Sequence, residues 1–261
     1  MVAVIPRAFH GLVDDAAVFP PGNAALPDAL ENHHRYRESW YSDLVGPLLL
    51  PASRLAEVPA LTEKPPAVGV VADTDPRTID IPDSLIVTHF ETRAPLADDL
   101  RLAARGLPGH EQPVITEIPW GDGQRDLLRL ALDLGLTPKF RTGGLDASAF
   151  PEPEELGHVV WACMEAESGF KLTAGLHRAV RHTEDDTGFV HHGFLNVLAA
   201  TQCDSEREVV DMLRSTDADE IASAVRLHMS RPRNHWVAFG SCSVAEPLED
   251  LEAMSLVEEI R

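Results

Sequence analysis

Apolar positions along the chain fall into two alternating patterns. Short runs dense in Val, Ile, Leu and Phe recur as GLVDDAAV (11–18), VGPLLLP (45–51), AVGVVAD (67–73), SLIVTHF (84–90), PVITEIP (113–119), TPKFRTG (137–143), SGFKLTAG (168–175) and HWVAFGS (235–241). Each is short, apolar and bounded by turn residues, which predicts a strand. Between them, DALENHHRYRESWYSDL, PLADDLRLAARGL, GQRDLLRLALDLGL and PEELGHVVWACMEA repeat apolar residues at three- and four-residue steps. That period gives a helix with one buried face. Eight strands alternating with helices predict a parallel sheet, and over 261 residues the economical closure is a single α/β domain, a (β/α)8 TIM barrel spanning 1–261. A doubly wound open sheet is the alternative. No strand is followed by GxGxxG or a Walker loop, so its usual nucleotide-binding form has no support.

One interval breaks the rhythm. About 60 residues separate the seventh and eighth strand candidates, against roughly 30 for a βα unit. The segment 179–234, with HTEDDTG, VHHGFLNVLAATQ, SEREVVDMLRS and DADEIASAVRLHM, reads as a loop and several helices. It predicts a helical insertion before the last strand, placed as a lid over the barrel mouth or as an oligomer contact. A homo-oligomer is expected on that ground.

Composition changes the picture in what it excludes. At 44% hydrophobic residues the chain can build a core, and 42 acidic against 22 basic residues leave a formal charge of −20. Nucleic acid and anionic membrane surfaces would be repelled, whereas a small anionic ligand in a locally basic pocket stays compatible. The first residues lack a basic stretch leading into a long apolar run, so no signal peptide is expected. Nor does any window reach the roughly 20 apolar residues of a membrane span. Cys163, Cys203 and Cys242 are widely spaced, with neither zinc-like spacing nor a disulfide framework, which suits a reduced cytoplasm.

The candidate chemistry lies in the lysines. The chain has three, against 19 arginines, and two of them, Lys139 and Lys171, stand 32 residues apart in TPKFRTGG and GFKLTAG. One strand–helix–strand unit therefore separates them, which predicts adjacent parallel strands at similar height. Strand alternation sends Lys139 and Arg141 to one face, and Lys171 and Thr173 to one face. A lone strand-end lysine ordinarily runs its stem to solvent. If the shared face is the barrel interior, however, two ammonium groups and a guanidinium crowd one cavity. Like charge and desolvation would then lower a lysine pKa and supply a neutral amine that attacks carbonyls.

These stretches resemble the deoxyribose-phosphate aldolase family of class I aldolases. VDDAAVFP (13–20) is similar to the family's first-strand pattern and matches Asp14, and PVITEIP resembles its fifth strand and matches Glu117. KFRTGG fits the sixth-strand Lys-x-x-Thr-Gly, whose lysine forms the Schiff base, here Lys139; Thr142 is its threonine. GFKLTAG is similar to the seventh-strand Gly-Phe-Lys with a glycine four residues on, which makes Lys171 the tuning lysine and Gly175 that glycine. FGSCS (239–243) resembles the last-strand Phe-Gly-x-Ser-Ser, implying a phosphate or substrate contact at Gly240, Ser241 and Ser243.

The departures point to a divergent member. The family's fourth-strand Asp is absent from SLIVTHFET, where His89 or Glu91 stands nearby. Ala174–Gly175, followed by His177 and Arg178, replaces Gly-Gly. Arg141 is bulkier than the family's residue, and no tyrosine follows Tyr41.

What the resemblance implies is a lyase of carbohydrate metabolism that needs no cofactor. Its substrate would be a small carbonyl compound, with or without phosphate, passing through an iminium and enamine on Lys139. Lys171 and Arg141 would hold down the Lys139 pKa, and Asp14 and Glu117 would move protons or orient the lysines. Arg141, Thr142, Thr173, Gly175 and His177 would line the substrate pocket. The alternatives are a metal-dependent barrel using His177, His182, His191 and His192 with Glu184, Asp185 and Asp186, and a non-catalytic ligand-binding barrel. His192 and Asn196, four apart, would share a helix face toward the mouth.

Overall fold

The computed structural model describes residues 5–107 and 109–259. Eight parallel strands close into a barrel: β1 (Val13–Asp15), β2 (Val45–Pro51), β3 (Ala67–Val71), β4 (Ile86–Arg93), β5 (Val114–Glu117), β6 (Thr137–Arg141), β7 (Phe170–Thr173) and, after a small hairpin, β10 (Trp236–Ser241). Each strand pairs with its sequence neighbours, and β10 closes the ring between β7 and β1. All eight predicted strands are present, and the fold is the (β/α)8 barrel.

The outer layer consists of α1 (Leu26–Glu38), α2 (Val58–Leu61), α3 (Ala97–Ala103), α4 (Gln124–Asp133), α5 (Pro153–Glu165), α6 (Phe194–Ala200), α7 (Glu206–Arg214), α8 (Ala218–His228) and α9 (Ala245–Ala253). Local chemistry sets several ends. Pro153 opens α5 at a position where its missing N–H is not needed, and Glu155 reaches back to accept from the Glu152 amide at 2.9 Å. Asp217 caps α8 by accepting from two first-turn amides. After α4 the chain turns at Gly135, whose φ of +70° is left-handed backbone. No helix among the described residues is long and apolar enough to cross a membrane.

Two differences from expectation matter for the site. β4 runs on to Arg93, past the predicted end at Phe90. Beyond that end Glu91 continues the inward alternation from His89 and is 1% exposed. In the 179–234 segment, His182–Thr183 and Val190–His191 form an antiparallel hairpin, β8–β9, which no apolar run foreshadowed. The helices that follow belong to the wall rather than to a lid. Every residue of α6 is buried, and Phe194 stacks on Phe239 with ring centroids 5.7 Å apart. Phe239 is in register with Leu172, the outward neighbour of Lys171 on β7. Past α8, Met229 accepts from the Ala8 amide, so the chain has returned to the bottom before β10 begins.

Candidate active site

Five inward side chains from five strands meet in one ionic cluster. Lys139 on β6 is in register with Lys171 on β7 and with Glu117 on β5, so the predicted adjacency of the two lysines is what the structure shows. Both are buried, at 5% and 0% exposure, while Lys64, the remaining lysine, lies in an exposed turn. Lys139 Nζ sits 2.7 Å from Glu91 Oε2 and 2.9 Å from Glu117 Oε2. Lys171 Nζ donates to Asp14 Oδ2 and, at 2.5 Å, to Glu91 Oε1. Glu91 thus spans the two ammonium groups, one oxygen each. It stands where the resemblance left the fourth strand without an acid.

His89 completes the set. A register shift between β3 and β4 at Thr88 aims it inward. Thr88 Oγ1 donates to Val68 O and so accepts from His89 Nδ1, which turns Nε2 to the cluster. There Nε2 lies 3.3 Å from Lys171 Nζ and 3.1 Å from Glu91 Oε1. The amine, the imidazole and the carboxylate thus form one buried contact.

The charge balance reverses one expectation. Three carboxylates surround two ammonium groups, and Arg141, which was expected to add a third cation, is exposed. Burial alone pushes Lys139 down, but the charges of Glu91 and Glu117 outweigh it and hold the amine above its ordinary value. Lys171 is likewise pushed down by burial and held higher by Asp14 and Glu91. Burial pushes Glu91 up, yet Lys139 and Lys171 keep it well below the usual carboxylate range. At rest the lysines are ammonium ions.

Glycines on the inner wall make room for the cluster. A Cβ at Gly46 on β2 would collide with Asp14 Oδ1, and one at Gly69 on β3 would come within 2.6 Å of His89 Cε1. Asp14 is tied to Lys171 and cannot retreat. Gly46→Ala is therefore expected to cost about 1–3 kcal/mol by overpacking, read from urea unfolding midpoints. A loss under about 0.5 kcal/mol, the size of an ordinary surface change, would mean that Asp14 is not confined.

The remaining predicted residues lie at the mouth, with varied roles. Thr142 is buried, and its hydroxyl donates to Ala174 O at 2.5 Å, so it ties two loops together and has no proton left for a substrate. Ala174 and Gly175 both adopt positive φ, +64° and +75°, and a Cβ at Gly175 would run into Thr142 O. Thr173 and Gly240 are in register on the inner wall just above Lys171. The hydroxyls of Ser241 and Ser243 serve their own turn: Ser241 Oγ donates to Ser243 O at 2.7 Å, and Ser243 Oγ accepts from the Glu246 amide at 3.2 Å. His177 Nδ1 is 2.7 Å from Glu246 Oε2.

The histidine-rich segment does not assemble a metal site. His182 stacks on His191 with centroids 5.2 Å apart, and His192 is buried between Arg181 and Pro151 O. Burial pushes His192 down to about 4, so it is neutral. Asn196 faces inward rather than toward the mouth: it accepts from Arg181 N and donates to Met212 O and Ser215 O, each at 2.8 Å. Among the described residues the group with metal-ligand geometry is Asp14, His89 and Glu91. Lys171 Nζ already contacts all three, so an ammonium fills the place of a cation.

Two surface cavities, of about 370 and 280 Å³, lie at the opposite end of the barrel around Arg233. Four of that guanidinium's five N–H groups donate to the carbonyls of Ala8, Gly11, Trp236 and Val237, and it reads as a structural plug. No protein-family model matches the chain, and no curated protein or solved structure matches it. Function has to be argued from the site.

Proposed function

We propose that this chain is a lysine Schiff-base enzyme, a class I aldolase-like carbon–carbon lyase in which Lys139 forms an imine with a small carbonyl compound. The observation that carries the reading is the unequal satisfaction of the two lysines. Lys171 has three N–H groups and three partners, Asp14, Glu91 and His89. Lys139 has two, Glu91 and Glu117, with one N–H left over among the described residues. The saturated lysine is the anchor and the other is the nucleophile.

Lys139 first passes a proton to a carboxylate. Glu117, the more accessible of its two partners, is the better placed. The amine adds to the carbonyl, and loss of water leaves an iminium cation between Glu91 and Glu117. The carboxylates that held an ammonium there now stabilise the iminium. Removal of an adjacent proton, or cleavage of the adjacent C–C bond, gives the enamine. Supporting an unphosphorylated substrate, the turn that resembles a phosphate loop spends the Ser241 hydroxyl proton on Ser243 O and carries the Glu246 carboxylate.

Incubation with propanal and cyanoborohydride, followed by peptide mass spectrometry, tests this. An alkyl adduct on Lys139, absent from Lys139→Met, is the expected result. The exposed Lys64 is the internal control: labelling of Lys64 without Lys139 would refute the assignment. Enamine formation is read separately as deuterium incorporation next to the propanal carbonyl in D₂O.

A further inference from the structure

A second constellation sits on the rim of the mouth, apart from the lysine cluster. Cys242 lies in the turn between β10 and α9, His177 in the loop after β7, and Glu246 in the first turn of α9. His177 Nδ1 is 2.7 Å from Glu246 Oε2, which fixes Nδ1 as the donor and turns Nε2 toward Cys242 Sγ, 3.8 Å away. Nucleophile, base and orienting carboxylate stand in sequence, the arrangement that activates a thiol or hydroxyl. The other two thiols differ. Burial pushes Cys163 up to about 12, and burial together with the charges of Glu208 and Asp204 pushes Cys203 up to about 11.

We propose that Cys242, with His177 as its base and Glu246 holding the imidazole, is a nucleophilic thiol site that takes small hydroperoxides at the barrel mouth. The thiol proton passes to His177 Nε2. Sulfur attacks the terminal peroxide oxygen, the O–O bond breaks, and the leaving hydroxide or alkoxide takes the proton from His177 to become water or an alcohol. Sulfur is oxidised by two electrons to a sulfenic acid, and the peroxide is reduced. Two features favour this class of electrophile. The leaving oxygen needs a proton donor, and His177 is one. Space is also tight, since a Cβ on Gly22 of the β1 loop would lie 3.0 Å from Cys242 Cβ. A bulky carbon electrophile would have to displace that loop.

The competing account is a purely mechanical latch, because the neighbouring Arg178 and Ala179 amide also hold α9, through Asp250. The test uses the full reduced chain with hydrogen peroxide and dimedone at neutral pH, read by peptide mass spectrometry. Cys242 should take the label while Cys163 and Cys203 stay clean. His177→Ala should slow labelling by about a hundredfold, the usual loss when a positioned base is removed, and Glu246→Gln by a smaller factor. Asp250→Asn removes the charge that pairs with Arg178, which weakens the latch but spares the constellation, and should leave the rate unchanged. Equal labelling of Cys203, an unaltered rate in His177→Ala, or an equal loss in Asp250→Asn would each overturn the proposal. None of these readouts depends on the lysine site.

Discussion

Lys171→Met should lower the melting temperature by roughly 6–20 °C. Removing this ammonium strips Asp14 and one oxygen of Glu91 of their partner in an interior where both are nearly inaccessible. Breaking a buried pair from one side costs about 3–5 kcal/mol, because the remaining charge is left uncompensated. For a domain of this size each kcal/mol is worth roughly 2–4 °C. Two further observations separate this from simple loss of packing. Asp14→Asn added to Lys171→Met should recover part of the loss, since it deletes the stranded charge. The gap to wild type should also narrow in acid, where the stranded carboxylates take up protons. A gap that is the same at pH 5 and pH 8, with no recovery in the double variant, would show that Lys171 contributes its stem rather than its charge.

The cluster also defines a pH window for the fold. Lys139 and Lys171 are held above their ordinary 10.5, so their contribution is complete below that value and is lost as pH rises through the higher folded one. Glu91 is held below its ordinary 4.5, so its contribution is present above that value and is lost as pH falls through the lower folded one. Between the two, Lys139, Lys171 and Glu91 are all charged and their mutual attraction is at its strongest.

The barrel was legible because each of its strands is an apolar run cut off by turn residues. The lysine pair was legible because 32 residues is one strand–helix–strand unit. Their environment was not. Glu91 reaches Lys139 from 48 residues away and Asp14 reaches Lys171 from 157, and no local pattern encodes such pairings. Missing these countercharges inverted the expected direction of the lysine pKa. A signal was present in VTHFE, where two-residue alternation carries His89 and Glu91 to the face that should hold an acid. The resemblance already set His89 or Glu91 near that position, but nothing in the sequence marked either as a partner of the lysines. Arg141 failed for a different reason. It lies in register with Thr173, but at a strand end a long side chain can leave for water. The β8–β9 hairpin is two residues per strand, too short for any periodicity, and the Cys242–His177–Glu246 set joins positions 65 and 69 residues apart.

The direction of the Lys139 shift also determines how the proposed reaction depends on pH. Well below the pKa of an amine, its neutral fraction grows about tenfold per pH unit. Because Lys139 is held above its ordinary value, propanal trapping on it should climb at about that slope from pH 6 to pH 9 without levelling off. A plateau near pH 7 would mean instead a depressed lysine, as like-charge crowding would produce. Glu117→Gln sharpens the test. It removes one of the two charges that hold the ammonium, so trapping at pH 7 should become faster, by roughly tenfold for each unit the pKa falls. The same change removes the more accessible proton acceptor, so deuterium incorporation into propanal, which needs a base after the imine has formed, should slow. The two readouts must move in opposite directions if Glu117 both restrains the nucleophile and accepts the substrate proton. Parallel losses in both would reduce Glu117 to a structural partner of Lys139 and leave Glu91, bridging the two lysines, as the carboxylate on which the chemistry turns.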